Sequence, residues 1–241
     1  MVILLTACVN PQGMAFTRLQ DSNIRLNQYK AAINFYLNNT DKQIIVAENT
    51  GYDFTNDFKE YVENNRLECL TFDGNNYSKI LGKGYGEALI INYVLNNSRL
   101  IEKNDLIIKI TGRYIVSNIV QILSYIRNEN YIYVNISKIN GRFLCDSRLF
   151  VSPISALKEY FLPNKEMIND SLRCYFEHIL YYSISLWQNN GGKVKEFRCP
   201  INFIGVTGST GKMLSKHTQS CLKALLRFYL HKLGIFRNRK E

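Results

Sequence analysis

The sequence predicts an α/β protein with a mostly parallel central sheet flanked by helices, and three observations carry that prediction. Residues 2–9 form an unbroken apolar run, as in a strand buried on both faces of a sheet. Strand-like and helix-like stretches then alternate as far as residue 110, in the β-α-β-α-β-α-β order of parallel strands joined by right-handed crossovers. No Pro-, Gly- or Ser-rich linker and no repeat divides the 241 residues, so a single domain over 1–212 is expected, with 213–241 as a tail.

The elements follow in order. Asp21-Ser22-Asn23 offers helix caps before residues 24–37, where Tyr29, Ile33 and Leu37 recur at helical intervals. Residues 43–47 read as a second strand ending in an Asn49-Thr50-Gly51 turn, 54–64 as a helix, and 67–72 as a third strand ending in Asp73-Gly74-Asn75. Glycines 82, 84 and 86 read as a turn before a helix over 87–95, and 106–110 is the fourth strand. Beyond it the pattern loosens. Residues 131–137 read as a strand, 154–161 and 170–187 as helices, and 203–207 as a last short strand. In the tail, Leu222, Leu225, Leu226, Tyr229, Leu230 and Leu233 form an apolar stripe with Lys216, Lys223, Arg227 and Lys232 largely off it. Such a basic amphipathic helix either lies on an anionic membrane surface or packs on its own domain.

Composition narrows the classes. An aromatic share of 12% and a hydrophobic share of 46% exclude a disordered chain. No stretch reaches the roughly 20 apolar residues of a membrane span, and the N-terminal run, without a basic leader or small-residue cleavage site, reads as a strand. The six cysteines are scattered without a CxxC pair, which argues against structural zinc and for reduced thiols in a cytoplasmic setting. A net charge of +10 points to an anionic partner: nucleic acid, a membrane surface or a phosphorylated ligand.

The chemistry-bearing residues lie at the strand ends. The fourth strand carries Lys109 and runs into Thr111-Gly112-Arg113-Tyr114, which sets two cations at the mouth of the sheet, where open α/β proteins bind ligands. Asp146 and Arg148, two apart in an extended stretch, project to one side and can together hold sugar hydroxyls. Glu177, among bulky apolar residues on a helix, suits a general base. His178 points about 100° away from it and is left out. GVTGSTGKM is rejected as a P-loop, because Val206 and Met213 stand where glycine and Ser or Thr are needed. GKGYGE is a glycine-rich helix start able to face an anion through Lys83. There is no G-x-S-x-G nucleophile elbow and no Asp-x-Asp. No firm cofactor is expected. Should a divalent cation (Mn or Mg) take part, Asp146 is its candidate ligand.

Taken in order, VILLTACVNP, DSNIRLNQYKAAINFYL, GKGYGEALIINYVL, KITGRY, DSRLF and YFEHILY resemble small bacterial glycosyltransferases of capsule and O-antigen clusters, over about residues 2–212. KITGRY and DSR are the most specific parts. The resemblance implies a single-domain GT-A-like fold and a nucleotide-sugar donor. It implies that Thr6, Asn10, Arg18 and Glu48 border the nucleotide, and that Lys83, Lys109 and Arg113 approach the diphosphate or donor sugar. Asp146 and Arg148 would contact the sugar, and Glu177 would be the base of an inverting displacement. The absent Asp-x-Asp departs from the wider pattern and suggests a metal-independent site. A lipid-linked or oligosaccharide acceptor would give the basic tail a purpose, peripheral contact with the anionic inner face of the cytoplasmic membrane. Two other readings stand beside it. One is a basic nucleic-acid-binding protein, although no nucleic-acid-binding motif is present and no nucleic-acid partner is expected. The other is a non-catalytic membrane-surface protein.

Overall fold

The computed structural model describes residues 1–15, 17–102, 106–126, 130–207, 211, 213–214, 226 and 229. The expected tail helix therefore lies outside the described residues apart from isolated positions. The first half follows the predicted order: β1 (Val2–Ala7), α1 (Ser22–Asn39), β2 (Ile44–Glu48), α2 (Lys59–Glu63), β3 (Leu67–Thr71), α3 (Lys83–Asn97) and β4 (Leu106–Thr111). Then come β5 (Ile115–Val116), α4 (Ile119–Tyr125), β6 (Tyr131–Tyr133), β7 (Ile136–Ile139), β8 (Arg142–Cys145) and β9 (Leu149–Pro153). The short α5 (Ile154–Ala156), α6 (Phe176–Asn189), β10 (Lys193–Lys195), β11 (Phe203–Val206) and β12 (Met213–Leu214) complete the described elements.

Seven strands form the main sheet in the order β10-β6-β9-β4-β1-β2-β3. All run parallel except β9, which is antiparallel to β4 and β6. The α/β class with a mostly parallel sheet flanked by helices is therefore as predicted. Both faces are covered, and β1 shows how. Val2 and Leu4 join a core with Ala88, Ile91 and Ile184 from α3 and α6, whereas Ile3 and Leu5 join one with Tyr29, Ile33 and Ile122 from α1 and α4. Side chains alternate along a strand, so an unbroken apolar run feeds two cores at once. Among the described residues, no helix is long and apolar enough to cross a membrane.

Three expectations are corrected. The predicted strand over 131–137 divides into β6 and the start of a separate hairpin, β7–β8. Its two-residue turn is Asn140-Gly141, at φ 49° and 79°, the positive-φ pair that a tight hairpin requires. The predicted helix over 170–187 is broken. Residues 170–172 form one 3-10 turn, Arg173 turns left-handed at φ 57°, and α6 begins at Phe176. Finally, α3 starts at Lys83 and absorbs two glycines of the expected loop. A Cβ on Gly84 would lie 3.0 Å from Cβ of Phe176, so that glycine lets α3 approach α6.

Candidate active site

The site forms where β1 and β4 end side by side. Gly112 donates its N–H to the Thr6 carbonyl at 2.9 Å, and a Cβ there would come within 2.7 Å of that oxygen. Only glycine lets the chain leave β4 so tightly. Beneath this turn lies a buried charged network. Lys109 is fully buried, and its Nζ lies 2.5 Å from Glu87 Oε1, 2.6 Å from the Ser147 carbonyl and 3.1 Å from Thr111 Oγ1. Thr6 and Thr111 donate their hydroxyls to the same Glu87 oxygen at 2.8 and 3.1 Å. An ammonium has three protons, and all three of Lys109's have partners.

Above the network opens a cleft of about 660 Å³. Its lining includes Lys83, Glu87, Thr111 and Arg113 from the parallel half, and Asp146, Ser147, Arg148, Asp170, Tyr175 and Glu177 from the second half. Arg148 grips Asp146 with two nitrogens, at 2.9 and 2.7 Å, and lays its guanidinium 4.4 Å over the Phe203 ring. Glu177, half-buried in the first turn of α6, accepts the Ser147 hydroxyl through Oε1 at 2.7 Å. Asp170 is only 8% exposed. Burial first, and then the neighbouring Glu177 charge, push its carboxyl up to about 6. His178 caps α6, its Nδ1 accepting the Tyr175 N–H at 3.2 Å.

A smaller compartment of about 100 Å³ adjoins the cleft at the end of β1 and shares Lys83, Glu87, Thr111 and Arg113 with it. Arg25 lines it, donating to the Cys8 carbonyl from Nε at 2.8 Å and to the Leu19 carbonyl at 3.2 Å. Arg113, 6% exposed, donates to Gln28 and to the Val206 carbonyl, and its buried Nε has no partner. Arg25 and Arg113 take no part in any ion pair among the described residues, so this compartment favours an anion.

The predicted site residues thus divide. Thr6, Lys83, Arg113, Asp146, Arg148 and Glu177 line the two compartments. Lys109 lies beneath them as a buried partner of Glu87, which corrects the expectation that it approaches the diphosphate or donor sugar at the mouth. Glu48 is fully buried and lines neither compartment. It accepts the backbone N–H groups of Val9, Thr50 and Tyr52 at 2.7 to 2.9 Å, together with the Thr50 hydroxyl, and so shapes two loops. Asn10 and Arg18 are exposed and lie outside both linings. Sequence reasoning missed Glu87, Asp170 and Arg25. Glu87 stands inside the noted GKGYGE segment, but its role needs Thr6, Lys109 and Thr111 brought to it across the sheet.

Among the described residues, no group of three His, Cys, Asp or Glu side chains could hold a metal ion. Asp146, the candidate ligand, is engaged by Arg148 through both oxygens.

No family model matches the chain, and no curated protein does. Among solved structures it is similar to the inositol-1-phosphate CTP transferase from T. maritima, at 14% identity and TM-score 0.43, covering 81% of this chain and 84% of that one. It is also similar to a cytidylyltransferase from Leptospira borgpetersenii, at 14% identity and TM-score 0.44, covering 100% and 98%. A third is the glycosyltransferase GlyE of Streptococcus pneumoniae, at 10% identity and TM-score 0.48, covering 82% of this chain but 45% of that protein. At these identities and scores no residue role passes from them to this chain. What stands is an α/β protein with a mostly parallel central sheet flanked by helices.

Proposed function

We propose that this chain is a glycosyltransferase that moves a sugar from a nucleotide-sugar donor to a glycan acceptor. The observation that carries this reading is a cleft at the end of β4 lined both by the cations Lys83 and Arg113 and by Glu177, which is anchored through a single oxygen. Lys83 and Arg113 suit the donor diphosphate, with Thr6 and Arg25 on the nucleotide side. Asp146 and Arg148, locked to each other, present hydrogen-bonding edges to the donor sugar. Glu177 Oε1 is held by Ser147, and its other oxygen has no hydrogen bond among the described residues.

In the reaction, Glu177 takes the proton of an acceptor hydroxyl while that oxygen bonds to the anomeric carbon. The bond from that carbon to the diphosphate oxygen breaks, and the leaving nucleoside diphosphate keeps the electron pair, its charge offset by Lys83 and Arg113. This displacement inverts the anomeric centre. Lys109 and Glu87 act as the frame on which Thr6 and Thr111 are set. The resemblance to capsule and O-antigen enzymes supports a lipid-linked acceptor, with residues 1–212 as the catalytic domain. The basic tail 213–241 supports a place on the cytoplasmic face of the membrane.

Nucleotidyl transfer is the second reading, favoured by the unpaired Arg25 and Arg113 of the small compartment, which would serve a departing pyrophosphate equally well. The deciding experiment is a thermal-shift panel of UDP-, GDP-, CMP- and dTDP-sugars with Mn²⁺ or EDTA, beside nucleoside triphosphates with sugar phosphates. A ligand of the native state raises its apparent stability. Glycosyl transfer is expected to show as a shift with one nucleotide-sugar class and release of its nucleotide, a nucleoside diphosphate for UDP-, GDP- or dTDP-sugars and CMP for CMP-sugars. Pyrophosphate release from a triphosphate instead would establish the second reading, and no shift with any nucleotide would remove both.

A further inference from the structure

The cleft lining includes an aromatic side chain that the proposed chemistry does not use. Tyr175 immediately precedes α6, lines the cleft beside Asp170 and Glu177, and is 41% exposed. Its ring stacks on His178 with centroids 5.3 Å apart and planes 20° from parallel. The Tyr175 N–H donates to Nδ1 of the same histidine at 3.2 Å, so the imidazole holds both the backbone and the ring of this residue. With one face of the ring covered by His178, its exposure comes from the edge and the opposite face.

We infer that Tyr175 is the platform of a carbohydrate subsite on the acceptor side, taking a pyranose whose apolar C–H face lies on the ring. A pyranose presents aliphatic C–H groups on its faces and hydroxyls around its rim. A binding site for it needs a flat apolar surface with hydrogen-bonding groups at the edges. The cleft supplies both. The ring is the flat surface, and Asp170 and Glu177 share the cleft lining with it as hydrogen-bond acceptors. The ring is held in place before any sugar arrives, so little side-chain freedom is lost on binding. The placement also puts a rim hydroxyl beside Glu177, the group proposed to take its proton. The inference rests on the reading of this cleft as sugar-transferring, but its test is separate from donor binding.

The test uses saturation-transfer NMR on the full chain with methyl glucoside, methyl galactoside, methyl mannoside and methyl N-acetylglucosaminide. Irradiation of aromatic protein resonances should pass saturation to ring C–H protons of at least one glycoside. Replacing the ring in Tyr175→Leu or Tyr175→Ala should weaken that binding about three- to tenfold, the range of a single aromatic stacking contact. Tyr175→Phe should keep it, and so should Tyr182→Ala, which removes a ring of similar exposure (44%) that lies outside the cleft lining. The inference is overturned if the wild-type chain saturates none of the four glycosides, or if both ring-removing variants bind as the wild type does. Glycoside binding without any nucleotide-induced thermal shift would instead remove the proposed function and leave this subsite standing.

Discussion

Carboxylates in the parallel half of the sheet and those in the second half of the chain meet different surroundings. Glu48 on β2 accepts three backbone N–H groups and a hydroxyl. Glu68 on β3 accepts the Ser98 hydroxyl at 2.5 Å and the N–H groups of Arg99 and Leu100 at 3.0 and 3.3 Å. Glu87, on the helix that packs over these strands, is taken by Lys109 and two threonines. Across the cleft, Glu177 has one hydrogen bond, and Asp170 is left with its charge disfavoured. Carboxylates with three or more partners hold loops and strand ends in place, Glu87 through Oε1 alone. A carboxylate anchored at one oxygen can still receive a proton. Both kinds are found partly or wholly buried, so partner count rather than burial separates frame from chemistry.

Four experiments sharpen or break that contrast. The largest effect is expected from Glu177→Gln, which should lower kcat by about 10²- to 10⁴-fold with donor binding nearly unchanged. Its urea stability should stay within about 0.5 kcal/mol of wild type. Turnover that survives the change would move the base elsewhere. Lys109→Ala should do the reverse in kind, costing about 3 kcal/mol in urea unfolding because the half-buried Glu87 loses the partner of its charge. The double variant Lys109→Met with Glu87→Gln should recover most of that loss, and a cost below about 1 kcal/mol for the single change would refute the frame role.

Asp170→Asn tests the remaining carboxylate through pH. Its raised value means that the folded state binds the proton more tightly than the unfolded chain. The penalty is therefore absent below about pH 4, grows as pH rises towards about 6, and is fully present above that. The Asn variant should be more stable than wild type by about 3 kcal/mol at pH 7 and close to it near pH 4. Equal stability at both pH values would show that Asp170 ionises without strain. The smallest effect is expected from Arg113→Gln, which should weaken nucleotide-sugar affinity about tenfold, measured by titration calorimetry. Unchanged affinity would take the diphosphate away from this side chain.

Much of the first half is legible because its signals are local and repeated. Apolar runs of strand length alternate with helix-like stretches, the first of them capped at Asp21, and β1, α1, β2, β3 and β4 stand where those signals put them. The hairpin β7–β8 had a signal too, the Asn140-Gly141 pair, but the strand reading over 131–137 stops short of it. The break at Arg173 had none. An arginine with positive φ is unusual, and it is kept here where Asn169 accepts the Ser171 and Leu172 N–H groups and pairs with Cys174 through the backbone. The glycines of GKGYGE looked like an anion loop. Gly84 instead answers to Phe176, more than ninety positions away, a neighbour that no local pattern can announce.

The sequence by itself determined the class of fold, the parallel order of its first strands, and the residue types gathered at their ends, because hydrophobic period and turn chemistry act over a few residues at a time. Only the tertiary structure decided which of those charged groups remain open. Lys109 and Arg113 stand four positions apart at the end of one strand. Lys109 meets Glu87 from α3 and is fully engaged, whereas Arg113 keeps an unpartnered nitrogen between the two compartments. That difference arises from how α3 and the second half of the chain fold over the strand ends. Electrostatic pairing depends on distances of a few ångströms between groups that the chain separates by tens of residues.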